Sequence, residues 1–162
     1  MINKSIFISV SDNIDRVIGY ACIAFGMAMT VSTLVGILFR YVMTNPLPWT
    51  EELARYTMIW MGLLAVSMGV KRETHLGLTL IVDKFPTLIR RFLKVVTRVL
   101  IGAFLLVLLV YGYKMALGGR YQTMPALRLP MVYVLIAVPI SALASLVQLL
   151  LISTIDLVGK ES

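Results

Sequence analysis

The sequence predicts an all-α integral membrane protein with four transmembrane helices and an additional amphipathic helix at the membrane interface. Of its 162 residues, 59% are hydrophobic, and the mean hydropathy is +0.91. A soluble domain is nearer to about 45–50% apolar. The residue pattern agrees, because four long segments with little or no charge are separated by short polar stretches. We therefore expect a single membrane domain covering residues 1–162.

The first span is predicted at residues 17–39. These 23 residues carry no charge, and at the rise of an α-helix they reach roughly 34 Å, enough to cross a hydrocarbon core about 30 Å thick. Residues 1–16 are interpreted either as a short amphipathic lead-in on the membrane surface or as a disordered tail. Small residues recur every four positions in this span, which predicts a face for close helix packing, in this chain or against a partner subunit. They are Ala24, Ala28, Ser32 and Gly36.

A polar stretch at residues 40–50 separates the first two spans. Its two prolines, Pro46 and Pro48, are not expected inside a helix, and Thr50 is predicted to be the N-cap of the second span. Glu51 and Arg55 stand four residues apart in the order that favours an ion pair along one helix face. The charged and aromatic residues of this stretch are expected to order the hinge or to hold a partner subunit. They are Arg40, Trp49, Glu51, Glu52 and Arg55.

The second span is predicted at residues 51–70, followed by a basic amphipathic linker at residues 71–94. One helical face of this linker is apolar and the other is basic, which is typical of a helix lying on an anionic leaflet. We expect the linker to lead into the third span without a clear break. Its predicted partner is anionic phospholipid, contacted through Arg90, Arg91, Lys94 and Arg98.

The third and fourth spans are predicted at residues 95–118 and 130–155. The third span is expected to end at Gly118-Gly119, where a second proline-containing loop begins at residues 119–130. The fourth span contains Pro139, which predicts a kink in that helix.

The distribution of basic residues predicts the orientation of the chain. Ten of the fifteen lysines and arginines fall on the side that holds both termini and the linker between the second and third spans. The positive-inside rule then places both termini in the cytoplasm. The two proline-containing loops therefore face outwards together, and Arg120 and Arg128 are candidate residues for docking a soluble partner. The basic excess is explained by membrane orientation and anionic lipid, not by binding of nucleic acid.

The sequence shows no pattern typical of catalysis or cofactor binding. The span centres carry no charge, and the one histidine, His75, is not enough to ligate a haem. The one cysteine, Cys22, lies in an apolar run and is interpreted as a packing residue. We expect a chain that is not an enzyme and that binds neither cofactor nor metal.

Three stretches resemble a known family. The hinge contains F-R-Y-V and then N-P-L-P-W-T-E-E-L-A-R-Y; the linker contains H-L-G-L-T-L-I-V-D-K-F-P; the last loop and span contain T-M-P-A-L-R-L-P-M-V-Y-V-L-I-A-V-P-I. Together they are similar to the DctQ-type small membrane subunit of tripartite ATP-independent periplasmic (TRAP) transporters. The first stretch is fairly specific, and the other two are looser.

The resemblance implies a bacterial inner-membrane protein that works in a complex. In that family a large membrane subunit carries the substrate and sodium sites, and the small subunit forms part of the fixed scaffold. A periplasmic substrate-binding protein delivers an organic acid, such as a C4-dicarboxylate or a sialic acid.

Four spans also occur in two other classes of membrane protein. Small self-assembling exporters of the four-helix type depend on a glutamate within the first helix, and residues 17–39 contain none. A lipid-binding or assembly protein without a transport role is the second alternative.

Overall fold

The computed structural model describes the backbone of residues 2–71 and 87–158, and the side chains of residues 8–71, 92–93 and 95–155. No strand occurs in these residues, and one isolated bridge joins Thr123 to Pro130. The helices are α1 (Ile2–Tyr41), α2 (Pro48–Lys71), α3 (Thr87–Gly118), α4 (Val132–Leu135) and α5 (Ala137–Val158), with a turn of 3-10 helix at Gly119–Tyr121.

Four helical segments are long and apolar enough to cross a membrane, which confirms the predicted fold class. They are Ile8–Tyr41, Pro48–Lys71, Val95–Tyr121 and Val132–Ile155.

The basic linker between the second and third spans is described only in part. Residues 72–86 and the side chains of Arg90, Arg91 and Lys94 lie outside the described residues. Residues 87–94 run into the third span as one helix, as expected, and that helix ends at Gly118. The expected separate interfacial helix therefore stays a prediction.

Helix α1 begins far earlier than the predicted span. It runs unbroken from Ile2, so the lead-in at residues 1–16 is helical from residue 2 onwards. Neither glycine nor proline occurs before Gly19, and the apolar residues Val10 and Ile14 continue the helical spacing of the span. Nothing in this stretch interrupts the hydrogen-bond ladder.

The helices pack in the order α1, α2, α5, α3, which differs from their order in the chain. Helix α5 lies between α2 and α3. The span that contains α5 is the most buried of the four, whereas α1 and α3 expose most of their apolar side chains. We call the end with residues 40–56 and 119–133 the hinge end, and the end with Ser11, Lys71 and Gln148 the terminal end. The outer faces of α1 and α3 remain available to lipid or to a partner subunit.

A break at Ile136 separates the short helix α4 from α5. Pro139 explains it, because proline has no N–H to donate to the carbonyl oxygen of Leu135 and its ring clashes with that oxygen. The interruption lies three residues before the proline, and the predicted kink stays a prediction. Beyond the break, one side of α5 is almost fully buried from residue 137 to residue 148, and it consists of Ala137, Ser141, Ser145 and Gln148.

The small-residue row on α1 divides along its length. A Cβ added at Gly36 would lie 2.7 Å from the Thr50 hydroxyl oxygen, and Ser32 is buried, so this part of the row packs against α2. Ala28 is half-buried and Ala24 is exposed. A spacing of four drifts by roughly 40° per step around a helix of 3.6 residues per turn. The row therefore rotates off the α2 interface, and the expectation that Ala24 and Ala28 meet a partner stays a prediction.

We expect replacement of Gly112 by valine to weaken the contact between α3 and α5. Even a Cβ at this position would lie 2.7 Å from Cγ1 of Val138 and 3.4 Å from Cδ of Pro139. Overpacking of this kind costs about 1–3 kcal/mol. The matched control is Gly62→Ala, since a Cβ there would meet nothing within 4 Å. Melting of the purified chain in detergent measures the difference, and equal melting of the two variants would contradict the close contact.

Candidate functional site

The hinge end is built around the carboxylate of Glu52. Its Oε2 atom accepts hydrogen bonds from the backbone N–H groups of Ala126 (2.8 Å) and Leu127 (2.7 Å), and its Oε1 atom accepts one from the Tyr56 hydroxyl (2.8 Å). The residue is buried. Helix α2 thus holds the 119–131 loop through a side chain that lies more than seventy positions away in sequence.

The loop presents a site of the right shape for this carboxylate. Backbone bonds close it, from Met131 N–H to the Gln122 carbonyl oxygen (2.9 Å) and from Met124 N–H to the Leu129 carbonyl oxygen (2.8 Å). Arg128 lies in the left-handed region, with φ of 53°. Consecutive N–H groups in such a turn form a concavity that binds anions. In this protein Glu52 itself is the anion.

Arg40 and Glu51 form an ion pair across the hinge between α1 and α2. The predicted pair of Glu51 with Arg55 is wrong, because Glu51 turns towards the last turn of α1. Arg40 at a helix C-terminus and Glu51 at a helix N-terminus each have the charge that the helix dipole favours. Both side chains are at least half exposed, so the pair itself adds little stability.

The start of α2 differs from the prediction. The helix begins at Pro48, where a proline is favoured because the first helical residue has no N–H bond to lose. Thr50 is therefore inside the helix and is not its N-cap. Its hydroxyl donates to the carbonyl oxygen of Leu47 (2.7 Å), and its side chain is buried against Gly36.

An aromatic contact joins three helices below the hinge. The Trp60 indole N–H donates to the Tyr133 carbonyl oxygen (3.1 Å), next to the break that precedes α5. The Trp60 ring also stacks on Phe25 of α1, with the ring centres 5.5 Å apart. Trp49, the predicted interface residue, is exposed at the helix start. Trp60 thus links α1 and α2 to the short helix α4 that follows the loop.

The predicted docking residues lie on the outer surface of the hinge end. Arg120 and Arg128 are exposed on the 119–131 loop, and Arg55 is exposed on α2. Tyr121 is 94% exposed beside Arg120. Exposed tyrosine and arginine side chains are a composition that protein interfaces favour.

The terminal end holds a polar network that sequence reasoning missed. The Gln148 side chain is fully buried; its amide N–H donates to the Ser11 carbonyl oxygen (3.1 Å), and its oxygen accepts from the Ser11 hydroxyl (2.8 Å). The Lys71 ammonium lies 2.8 Å from Oδ1 of Asp12 and 3.5 Å from Oδ2 of Asp15, and it also donates to the Ser11 carbonyl oxygen. The sequence signal for this network was Gln148, a single glutamine in a largely apolar span.

Comparison with known protein families shows to which family a chain with this hinge end and this terminal end belongs. The family described as "Tripartite ATP-independent periplasmic transporters, DctQ component" matches residues 29–158, which is most of the chain. The chain belongs to the DctQ family. Every hinge-end residue described above falls within the matched range, whereas Ser11, Asp12 and Asp15 of the DctQ chain precede it.

Individual relatives are TRAP transporter proteins. The DctQ chain is 33% identical over 89 residues to a C4-dicarboxylate TRAP transporter small permease protein of Vibrio cholerae, a match that covers 54% of this chain and 38% of the relative. It is 30% identical over 77 residues to the sialic acid TRAP transporter small permease protein of the same organism (48% and 44%). It is also 27% identical over 108 residues to the sialic acid TRAP transporter permease protein of Haemophilus influenzae (61% and 18%). The matches span about half or less of the length of these relatives.

Proposed function

We propose that this chain is the small permease subunit of a TRAP transporter and forms a fixed scaffold for the large membrane subunit. The family match over residues 29–158 carries the proposal. The transported substrate is an organic acid, delivered by a periplasmic binding protein and taken up with sodium. The names of relatives support a C4-dicarboxylate or a sialic acid as the substrate class. The role is structural, without catalysis or a cofactor.

The distribution of charge in the spans supports a structural role for this chain and does not favour a path for substrate or ions through it. Ionisable side chains of the described helices lie near the span ends, as with Arg40, Glu52, Lys71 and Lys114. A substrate or ion path would require ionisable groups and broken helices near the middle of the membrane. Within the described helices the break at Ile136 lies next to the hinge end.

Co-expression with the large membrane subunit tests the proposal. We expect the two proteins to purify together at a fixed ratio after detergent extraction, and uptake of the organic acid to require both of them. A stable homodimer that ignores the large subunit would support a self-assembling protein instead. Normal uptake by the large subunit alone would contradict the scaffold role.

We further propose that the terminal end faces the cytoplasm and the hinge end the periplasm of the inner membrane. The basic residues near the terminal end support this orientation. With Cys22 replaced by serine, a cysteine at Thr123 should react with an impermeant maleimide in spheroplasts. A cysteine at Lys84 should react only after lysis. The reverse pattern would contradict the orientation.

The exposed arginines of the 119–131 loop are proposed to attract the binding protein. We expect Arg120→Glu and Arg128→Glu to reduce uptake by roughly tenfold when binding protein is limiting, since reversed charge slows electrostatic encounter. Saturating binding protein should restore most of the rate. Arg120→Lys and Arg128→Lys keep the charge and serve as controls. Unchanged uptake by the reversed variants at limiting binding protein would exclude docking through these residues.

A further inference from the structure

A shallow groove of about 430 Å³ lies between α1 and α2 at the terminal end. Four charged residues line one part of it, namely Asp12, Asp15, Arg16 and Lys71. The α1 residues among them precede residue 29, where the range matched by the DctQ family begins. Membership of that family therefore assigns no role to this groove.

The four charges sum to zero, but they are unevenly paired. The Lys71 ammonium is shared between the carboxylates of Asp12 and Asp15, so one negative charge remains in excess beside it. The Asp12 side chain is 57% exposed, and its Oδ1 atom is the one that contacts Lys71. Arg16 is exposed, and within the described residues it forms no ion pair. The groove thus offers an accessible carboxylate and an accessible guanidinium about one helical turn apart.

The rest of the groove is apolar and leads towards the middle of the first span. Ile23 of α1 and Met68 of α2 line it. Ile23 is 60% exposed, and Tyr20, between the charged and the apolar parts, is 67% exposed. The charge-free segment at residues 17–39 begins directly after Arg16. The groove therefore changes from charged to apolar where headgroups meet hydrocarbon, a depth at which tyrosine is common.

We propose that this groove binds phosphatidylethanolamine, a phospholipid without net charge. Its phosphate lies at Arg16 and its ammonium group at Asp12, and one acyl chain lies along Ile23 against Met68. A guanidinium presents paired N–H donors to a phosphate, and a primary ammonium has three N–H donors for a carboxylate. The site is separate from the basic linker that is expected to contact anionic lipid, and it does not depend on the transport role.

The charges of the groove favour this headgroup over those of other membrane components. Phosphatidylglycerol is anionic and would bring no cation to the excess carboxylate. The quaternary ammonium of phosphatidylcholine has no N–H to donate to Asp12. A transmembrane helix of another protein would need a lysine and a carboxylate close together at this depth, and such residues are rare in membrane helices.

Native mass spectrometry of the full-length chain in detergent, titrated with phosphatidylethanolamine, phosphatidylcholine or phosphatidylglycerol, tests the site. We expect the wild-type chain to retain one phosphatidylethanolamine and to prefer it roughly fivefold over the other two lipids, the size expected for one charge pair near the surface. Asp12→Asn should remove this preference, because a neutral amide holds the ammonium less strongly. Arg16→Gln should weaken retention of all three lipids to a similar extent, because each of them has a phosphate.

Control variants separate binding from folding. Asp12→Asn leaves Lys71 paired with Asp15, so the fold should be retained. The matched control is Glu51→Gln, which removes a carboxylate of similar exposure, 58%, from an ion pair at the hinge end and should leave the lipid preference unchanged. Ile23→Trp covers the apolar part of the groove from an exposed position and should reduce retention of all three lipids.

Three results would overturn the proposal. The first is an unchanged preference in Asp12→Asn, or an equal loss of preference in Glu51→Gln. The second is a wild-type preference for phosphatidylglycerol, which would indicate general attraction by the basic surface. The third is displacement of the lipid when the large subunit assembles, because the groove would then be a protein interface. Uptake is not measured in this experiment, so failure of the proposal would leave the scaffold role standing.

Discussion

Replacement of Glu52 by alanine is expected to release the 119–131 loop and to reduce uptake by roughly tenfold or more. The carboxylate satisfies two consecutive backbone N–H groups, those of Ala126 and Leu127, and no other side chain is bonded to them in the described part of the chain. Ala126 and Leu127 are half-buried, and donors that lose a charged acceptor where water has limited access are destabilising. We expect the large subunit to purify in lower yield with Glu52→Ala.

Hydrogen exchange gives this prediction a local measurement. The amides of Ala126 and Leu127 should exchange much faster in Glu52→Ala than in the wild-type chain. Glu52→Gln keeps one carbonyl oxygen for the loop and should show an intermediate effect. Tyr56→Phe removes a neighbouring bond to Glu52 but leaves both loop bonds in place, so it is the matched control. Unchanged exchange at both amides in Glu52→Ala would show that the loop holds its shape without the carboxylate.

Local signals in the sequence predict the four spans and some of their ends, although α1 begins at Ile2 and α2 at Pro48, both earlier than expected. Long charge-free segments mark the four spans, Gly118 ends α3 as predicted, and Pro139 breaks the last span. Each of these features depends on residues that are neighbours in sequence. Hydropathy, the missing side chain of glycine and the missing N–H of proline act at that range.

The contacts between distant elements could not be predicted in the same way. Glu52 was expected to hold the hinge or a partner, yet its structural partner is the backbone of a loop two spans later. The spacing of four predicts an ion pair of Glu51 with Arg55, but Glu51 pairs with Arg40 of another helix instead. Helical periodicity shows which positions share a face, but it does not show which helix that face meets. The placement of α5 between α2 and α3 is decided by such faces.

At the terminal end, Lys71 of α2 likewise contacts residues of α1 that are distant in sequence. Lys71→Met is expected to destabilise the chain by about 2–4 kcal/mol, somewhat less than the loss expected for a fully buried pair. The Lys71 side chain is only 19% exposed, and Asp15, at 21%, would lose the ammonium group that lies 3.5 Å from its Oδ2 atom. One oxygen of Asp15 is already buried without a hydrogen-bond partner in the described residues, so little compensation is available.

Melting in detergent measures this loss, which corresponds to a decrease of about 5–15 °C for a chain of this size. Asp12→Asn is the matched control: Asp12 is 57% exposed, and an exposed pair contributes below about 1 kcal/mol. Gln148→Leu should fall between the two, because it breaks both bonds to Ser11 but leaves no charge unpaired. If Asp12→Asn lowered the melting temperature as much as Lys71→Met, the stabilising contact would be the exposed pair. The semi-buried pair with Asp15 and the carbonyl bond to Ser11 would then not be what joins α1 to α2 at this end.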